Sequence, residues 1–349
     1  MEWKEIKSYL PVGWEEKCIE LKAITRSRQI KNADELLEVI FTYLTIGESL
    51  GQTAAIMAAR NIQIRKESLF ERLQKAGEWL RWIVQNTLKS YGMVLEKPQW
   101  LGNKDVLLVD ASEVALKGST GSDYRLHMMF DLFNFCYKSL EITLATNGEK
   151  EDKFKPSEGS IIIGDRGYVS TRGIEYAISR KADFIFRYRS RAFNLYDKSG
   201  KRLDLTGNLN EMEDWAHKNI ECFYLYGGQL KPLRVCIMKK DDRAISASVR
   251  KLKELYSKKQ IAARQPDTLE LNKYIVLCTN LDYNAENIFE LYRCRWQIEL
   301  VFKELKTTLS FGEVPSSNPA SVKAWFYGKL LIAALSLLVV NDSHFSPKS

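Results

Sequence analysis

Two stretches of this chain are apolar runs that end on a carboxylate. They are Lys104-Asp-Val-Leu-Leu-Val-Asp110 and Gly159-Ser-Ile-Ile-Ile-Gly-Asp165. Short runs rich in β-branched residues and bounded by turn residues read as strands buried on both faces. Such a strand is a costly place for a charge unless the charge emerges at a site. One Asp after a strand is most often a turn residue. Two of them confine the fold to an α/β arrangement in which strand ends gather.

The segments around these runs supply the rest of a sheet. Tyr124–Phe135 and Ser139–Thr146 read as two further strands, after a polar break holding Gly118, Gly121 and Ser122. Residues 147–158 are polar and read as loop, Thr171–Lys181 as a helix, and Ala182–Tyr188 as a fifth strand. The order β-β-β-α/loop-β-α-β is that of an RNase H-like domain. Adjacent strand ends in such an order bring Asp110 and Asp165 within a few ångströms. Carboxylates that close repel unless a divalent cation neutralises them. Mg²⁺ favours such oxygen ligands and keeps open positions for phosphate.

A helix near the C-terminal end provides a third carboxylate. Leu291–Lys306 has no Gly or Pro and is rich in helix formers. At roughly 100° per residue, Tyr292, Arg295, Glu299 and Lys306 fall within an arc of about 60°. The stripe presents a phenol, a guanidinium, a carboxylate and an ammonium, a set suited to a metal-bound phosphodiester. A solvated face carrying ion pairs is the plainer reading of the helix alone.

Residues 1–98 read as a helical region. Asn32 caps Asp34–Leu44, Gly47 breaks the pattern, and Ser49–Arg60 forms a second helix. A turn at Asn61–Gln63 leads into Arg65–Ala76, with Ser68 and Glu71 at capping-box spacing, and Glu78–Leu88 extends the helical material. Two short helices, a tight turn and the basic residues Arg65, Lys66, Arg72 and Lys75 are helix-turn-helix-like. A DNA-binding module and an ordinary bundle with a basic surface compete evenly here. Residues 99–189 then hold both Asp, and 190–282 read as a mainly β insertion with strands Ile220–Tyr226, Leu230–Met238 and Lys273–Thr279. Its helix Ser246–Ala263 is basic. Residues 283–349 carry the Glu299 helix and a short helical tail.

Bulk properties agree with a polyanionic partner. The 349 residues carry a formal charge of +8. The six cysteines form no Cys-x-x-Cys pair, and three histidines leave little for a zinc site. Unpaired thiols within apolar runs fit a reducing cytoplasm. The start, Met1-Glu-Trp-Lys-Glu, has no signal-peptide core, and the apolar run Leu330–Val340 is too short to span a bilayer.

These residues together resemble bacterial insertion-sequence transposases of the DDE class, in the group marked by a Tyr-(2)-Arg-(3)-Glu-(6)-Lys signature. Tyr292, Arg295, Glu299 and Lys306 match it without a gap. Val109-Asp110-Ala-Ser and Ile163-Gly-Asp165-Arg-Gly-Tyr168 look like its two Asp contexts. The resemblance implies an RNase H-like core in which Asp110, Asp165 and Glu299 hold two Mg²⁺ ions, with Mn²⁺ as a substitute. One ion activates the attacking water or 3′-hydroxyl, and the other stabilises the leaving oxygen. It implies endonucleolytic cutting at the element's terminal inverted repeats and joining of the freed 3′ end to target DNA. Tyr292, Arg295, Lys306 and Arg166 would hold phosphates. Trp296 would stack on an unpaired base or pack in the core. Double-stranded DNA is the implied partner, with a homodimer on paired ends, no membrane, and a cytoplasmic, nucleoid-associated place of work.

Only 43 residues follow Lys306 (349 − 306), where relatives often carry a longer pairing region. A truncated, cleavage-incompetent relative that occupies element ends as an inhibitor or repressor is the alternative. A nuclease without strand transfer is a third reading. A glycosidase with paired carboxylates is a remote fourth, because a sugar needs no basic stripe.

Overall fold

The computed structural model describes residues 3–26, 29–46, 49–90, 96–116, 119–134, 136–145, 154–190, 193–209, 212–258, 270–295 and 313–345. Two compact units emerge. One comprises Met1–Gln99, Ala111–Gly148 and Glu299–Ser349, and the other comprises Trp100–Asp110 and Glu149–Ile298.

The first unit is mainly helical. Its helices are α1 (Trp3–Lys7), α2 (Trp14–Glu20), α3 (Ala33–Thr45), α4 (Leu50–Ala59) and α5 (Lys66–Ser90). Asn32 caps α3 by accepting from the Glu35 amide, and Ser49 caps α4 through the Gln52 amide. Trp79 is fully buried in α5, stacks on Trp14 at 6.0 Å and donates Nε1–H to the Trp14 carbonyl at 2.7 Å. A large ring that also satisfies its one donor is a strong anchor for a helix pair.

One expectation for this region changes. Helices Arg65–Ala76 and Glu78–Leu88 are one continuous helix, α5, so Ser68 lies in its first turn and does not cap it. Gly77 lies inside this helix, and Lys323 passes it with side-chain carbon only 3.4 Å from where a Cβ would sit. Lys323 belongs to a last long helix that packs on α5 and α3 and spans Pro319–Phe345. Among the described residues no helix is long and apolar enough to cross a membrane.

The second unit is built on a sheet. Its strands are β1 (Val106–Leu116, whose first half belongs here), β4 (Ile161–Gly164), β5 (Asp183–Arg187), β6 (His217–Tyr226), β7 (Gln229–Lys239) and β8 (Tyr274–Thr279). Strands β2 (Tyr124–Asp131) and β3 (Cys136–Leu144) form an antiparallel hairpin in the first unit, where β9 (Glu313–Val314) pairs with Ala115–Leu116 of β1. In the second unit β1, β4 and β5 run parallel. Beyond them β8 and then β7 and β6 continue the same sheet antiparallel. The strands of segment 190–282 are thus hydrogen-bonded onto β5 through β8.

Both apolar runs are strands with buried cores. Val106–Val109 and Ile161–Ile163 are each at most 5% exposed. The first run does not end on its carboxylate, as the sequence suggested, because β1 passes through Asp110 and continues to Leu116. What ends at that level is burial on the β4 side, since β4 stops at Gly164. The crossover from β4 to β5 is α6 (Thr171–Ser179), capped by Ser170 on the Gly173 amide. Its Glu175 ties it to the outer hairpin, accepting from Tyr224 Oη at 2.6 Å and Lys231 Nζ at 2.7 Å. Later come α7 (Asp242–Lys258) and a helical run, α8, over residues 285–295; the long C-terminal helix is then α9 (Pro319–Phe345).

Gly328 of α9 faces Leu44 and Ile40 of α3, and a Cβ there would run into Leu44, which is 5% exposed and cannot swing away. Gly328→Ala should therefore cost about 1–3 kcal/mol, a fall of several degrees in melting temperature. Gly51→Ala, where α4 leaves open space, should instead hold or raise it. Thermal unfolding followed by far-UV circular dichroism checks the contrast.

Candidate active site

The sheet register brings the two aspartates together. Val106 pairs with Ile161, Leu107 with Ile162 and Leu108 with Ile163, an offset of 55 (161 − 106). The same offset carried two steps further sets Asp110 opposite Asp165 (110 + 55). Neighbouring strands lie about 4.8 Å apart, so both carboxylates belong to one spot on the sheet edge.

Asp165 starts a tight turn. Its Oδ1 accepts from the Gly167 amide at 2.7 Å. Among the described residues it forms no ion pair, although cations gather beside it. Gly164, just before it, has no room for a side chain. A Cβ there would lie 2.9 Å from the Tyr168 ring and 3.1 Å from the Phe186 ring. Tyr168 itself is 1% exposed and packs on Phe154 at 5.8 Å. Glycine before the Asp is thus a packing requirement that fixes where the carboxylate leaves the strand.

A cationic group occupies the same edge. Gly164 pairs with Phe186, so the parallel offset of 22 sets Arg187 opposite Asp165 (165 + 22). Antiparallel pairing of Arg187 with Leu277, and of Lys239 with Tyr274, carries the end of β7 to this edge as well. Lys240 follows, 6% exposed, with Nζ donating to Ser248 Oγ at 3.0 Å and to the Asn272 carbonyl at 2.7 Å. Both acceptors are neutral. Burial, then the nearby Arg187 and Arg166, push Lys240 down to about 8. Arg166 is lowered to about 10 by enclosure of its head group and then by Arg187, while Tyr292 and Asp165 oppose the shift.

From α8 come Tyr292 and Arg295. Tyr292 is 9% exposed, and its hydroxyl has no hydrogen-bond partner among the described residues. The Arg295 guanidinium lies 5.5 Å from the centre of the Tyr292 ring, within cation–π range. The structure therefore brings Asp110, Asp165, Arg166 and Tyr292 into one unit, with Arg295 on the same helix as Tyr292. Trp296, Glu299 and Lys306 lie outside the described residues, as does the end of the basic helix beyond Lys258. Sequence reasoning missed Arg187, Arg189 and Lys240. Each follows an apolar strand run, Phe184–Phe186 or Val235–Met238, in the same pattern that exposed the aspartates.

A divalent cation fits this donor set in kind. The aspartates supply hard oxygen ligands, and Asp165 is oriented by an amide and forms no ion pair among the described residues. Among the described residues no cluster of three or more metal-binding side chains occurs.

Two outcomes follow from this packing. Gly164→Ala should lower metal-dependent DNA nicking by about tenfold or more, since small misplacements of a reacting group are costly; a plasmid-nicking time course measures it. Replacing Lys240 by Met should raise the melting temperature at neutral pH. A buried lysine with a depressed pKa costs stability fully below about pH 8, and the cost fades as pH rises toward the ordinary lysine value near 10.4. The gap between variant and wild type should narrow accordingly in melts taken from pH 7 to 10.

The chain is similar to several known proteins. The chain is 29% identical to the InsL protein of insertion sequence element IS186A from Escherichia coli K12 over 341 residues, covering 94% of this chain and 90% of that protein. It is also 29% identical to the transposase for IS421 from Escherichia coli, with the same coverage. The transposase for IS231B from Bacillus thuringiensis subsp. berliner is 21% identical over 92% of this chain and 75% of its own length. A family model described as a transposase DDE domain matches residues 101–335, which contain both aspartate strands, the cationic edge and α8. The chain thus belongs to the DDE transposases of insertion sequences, metal-dependent enzymes that cut DNA and transfer its strands.

Proposed function

We propose that Asp110, Asp165 and Glu299 are the three catalytic carboxylates, and that they hold Mg²⁺ or, in its place, Mn²⁺. The observation that carries this reading is the shared register of Asp110 and Asp165 on neighbouring parallel strands. The metal ions, when bound, activate the attacking hydroxyl and neutralise charge at the leaving oxygen. The chain's own groups do the rest. Tyr292 has a buried hydroxyl with no protein acceptor among the described residues, and a phosphate oxygen would accept its proton. Arg295, Arg166 and Lys306 neutralise non-bridging oxygens. Arg187 and Lys240 add charge from the adjacent strand ends, which favours a phosphodiester over a neutral substrate.

In this reading the catalytic core is RNase H-like, and the chain belongs to the group with the Tyr-(2)-Arg-(3)-Glu-(6)-Lys signature. In the hydrolytic step water oxygen bonds to phosphorus, the P–O3′ bond breaks, and the 3′ oxygen leaves as a hydroxyl. In the joining step that 3′-hydroxyl attacks a target phosphorus and displaces another 3′ oxygen. The DNA partners are the element's terminal inverted repeats and the target duplex, held by a homodimer across two ends. The helices of residues 1–98 supply end binding, and Trp296 stacks on an unpaired base or closes the core. The nucleoid is the place of work.

The test is strand cutting of a plasmid carrying the element's ends, with Mn²⁺ present. Asp110→Ala, Asp165→Ala and Glu299→Ala should each abolish nicking and leave duplex binding intact. Tyr292→Phe should cut about tenfold more slowly, the effect of one transition-state hydrogen bond. Wild-type nicking by any of the three alanine variants would refute the assignment. Duplex binding by a wild-type chain that never cuts would favour the inhibitor reading.

A further inference from the structure

The first unit holds a cavity of about 370 Å³ where α3, α4, α5 and the start of α9 meet. Tyr43, Phe70 and Trp325 bring one aromatic ring each from α3, α5 and α9. Among the described residues no charged side chain shares the lining. The volume is at the small end of the range that takes organic ligands, about 300–1,000 Å³. Rings on three helices offer an apolar ligand body a place out of water.

Several donors in this lining have no acceptor. Ser321 is 4% exposed, and its hydroxyl has no hydrogen-bond partner among the described residues. The other two serine hydroxyls of the lining are engaged. Ser49 Oγ accepts from the Gln52 amide at 3.2 Å, and Ser316 Oγ from the Asn318 amide at 3.2 Å. Leu50 and Gly51 open α4, ahead of the Gln52 amide that Ser49 caps. The first amides of a helix have no partner within it, and among the described residues no other acceptor takes these two. They also carry the partial positive charge of the helix start. Burial holds the Tyr43 phenol above its ordinary value, so it stays a protonated donor. A buried hydroxyl left unpaired costs stability, and an acceptor on a ligand would remove that cost.

We propose that this cavity is a small-molecule site for an aromatic monocarboxylate, with the ligand ring among Tyr43, Phe70 and Trp325 and its carboxylate on Ser321 Oγ and the Leu50 and Gly51 amides. A carboxylate only accepts, and its two oxygens serve several donors at once. One negative charge matches the partial positive charge of a single helix start. A phosphate or nucleotide brings more charge than a lining without Lys or Arg can meet. A ligand held in this way ties α4 to α9 and stabilises the helical unit. The site does not rest on which carboxylates are catalytic.

The experiment uses the full chain, isothermal titration calorimetry and 2-naphthoate as the probe. 2-Naphthalenemethanol is the neutral analogue with the same rings, and inorganic phosphate is an anion with none. 2-Naphthoate should bind the wild type and raise its melting temperature as the concentration of the acid increases. The alcohol should bind about tenfold more weakly, and phosphate should give no heat of binding. Ser321→Ala should weaken 2-naphthoate binding by about tenfold. Its melting temperature without ligand should hold or rise, because the hydroxyl removed has no partner to lose. A role for Ser321 in folding alone would do the reverse, lowering the melting temperature and leaving the affinity unchanged. That result overturns the proposal. So does a wild type that fails to bind 2-naphthoate, binds the alcohol equally well, or takes phosphate instead.

Discussion

Parallel pairing of β1 with β4 at a fixed offset is the constraint on which the site depends. Strands buried on both faces have no tolerance for charge along their length. They can present it only where pairing stops. The offset makes pairing stop at Asp110 and Asp165 together, because β4 ends at Gly164. One residue of slip would separate the two carboxylates and turn a buried isoleucine toward the edge. The isoleucines that fill the core and the geometry that could hold a metal are therefore one requirement.

The same edge carries an electrostatic tension. Burial and then the nearby Arg187 lower Arg166 and Lys240, and Arg166 adds to the effect on Lys240. Such an arrangement costs folding stability when no anion is present. An anion bound there would supply the missing countercharge, so the repulsion would favour ligand binding as much as it opposes folding. Proteins commonly hold this kind of stress at sites and not in cores. A part-buried group elsewhere in the same unit shows the opposite design, with Glu175 meeting both Tyr224 and Lys231 at close range.

Much of this was legible in the chain because the apolar runs are short, β-branched and sharply ended. The strand positions, the caps at Asn32 and Ser49, and the buried thiols Cys18, Cys222, Cys236 and Cys278 follow from local chemistry. What was illegible depended on partners distant in sequence. The close pass of Lys323 of α9 over Gly77 of α5 has no local signal. Ala111–Leu116 reads as the start of a polar break, yet it continues β1, with Ala115 and Leu116 paired to β9 about 200 residues later. Lys240 carries no local motif, and only the antiparallel path through β8 delivers it to the edge where Asp165 sits. Local pattern located the aspartates; the topology of the sheet selected the cations around them.

Placing those cations on neighbouring strands solves a chemical conflict. A metal-dependent enzyme on a polyanion needs carboxylates for the metal and cations for the phosphate within one small volume. If the two sets paired with each other, neither ligand would be held. Arg187 is opposite Asp165 in register, yet no ion pair joins them. The Asp165 carboxylate is instead turned by the Gly167 amide, a partner that orients it without neutralising it. Lys240 is likewise tied to a hydroxyl and a carbonyl, which fix its position and leave its charge. Neutral hydrogen bonds hold both kinds of charged group in place. Each group is thus oriented without being neutralised by the other.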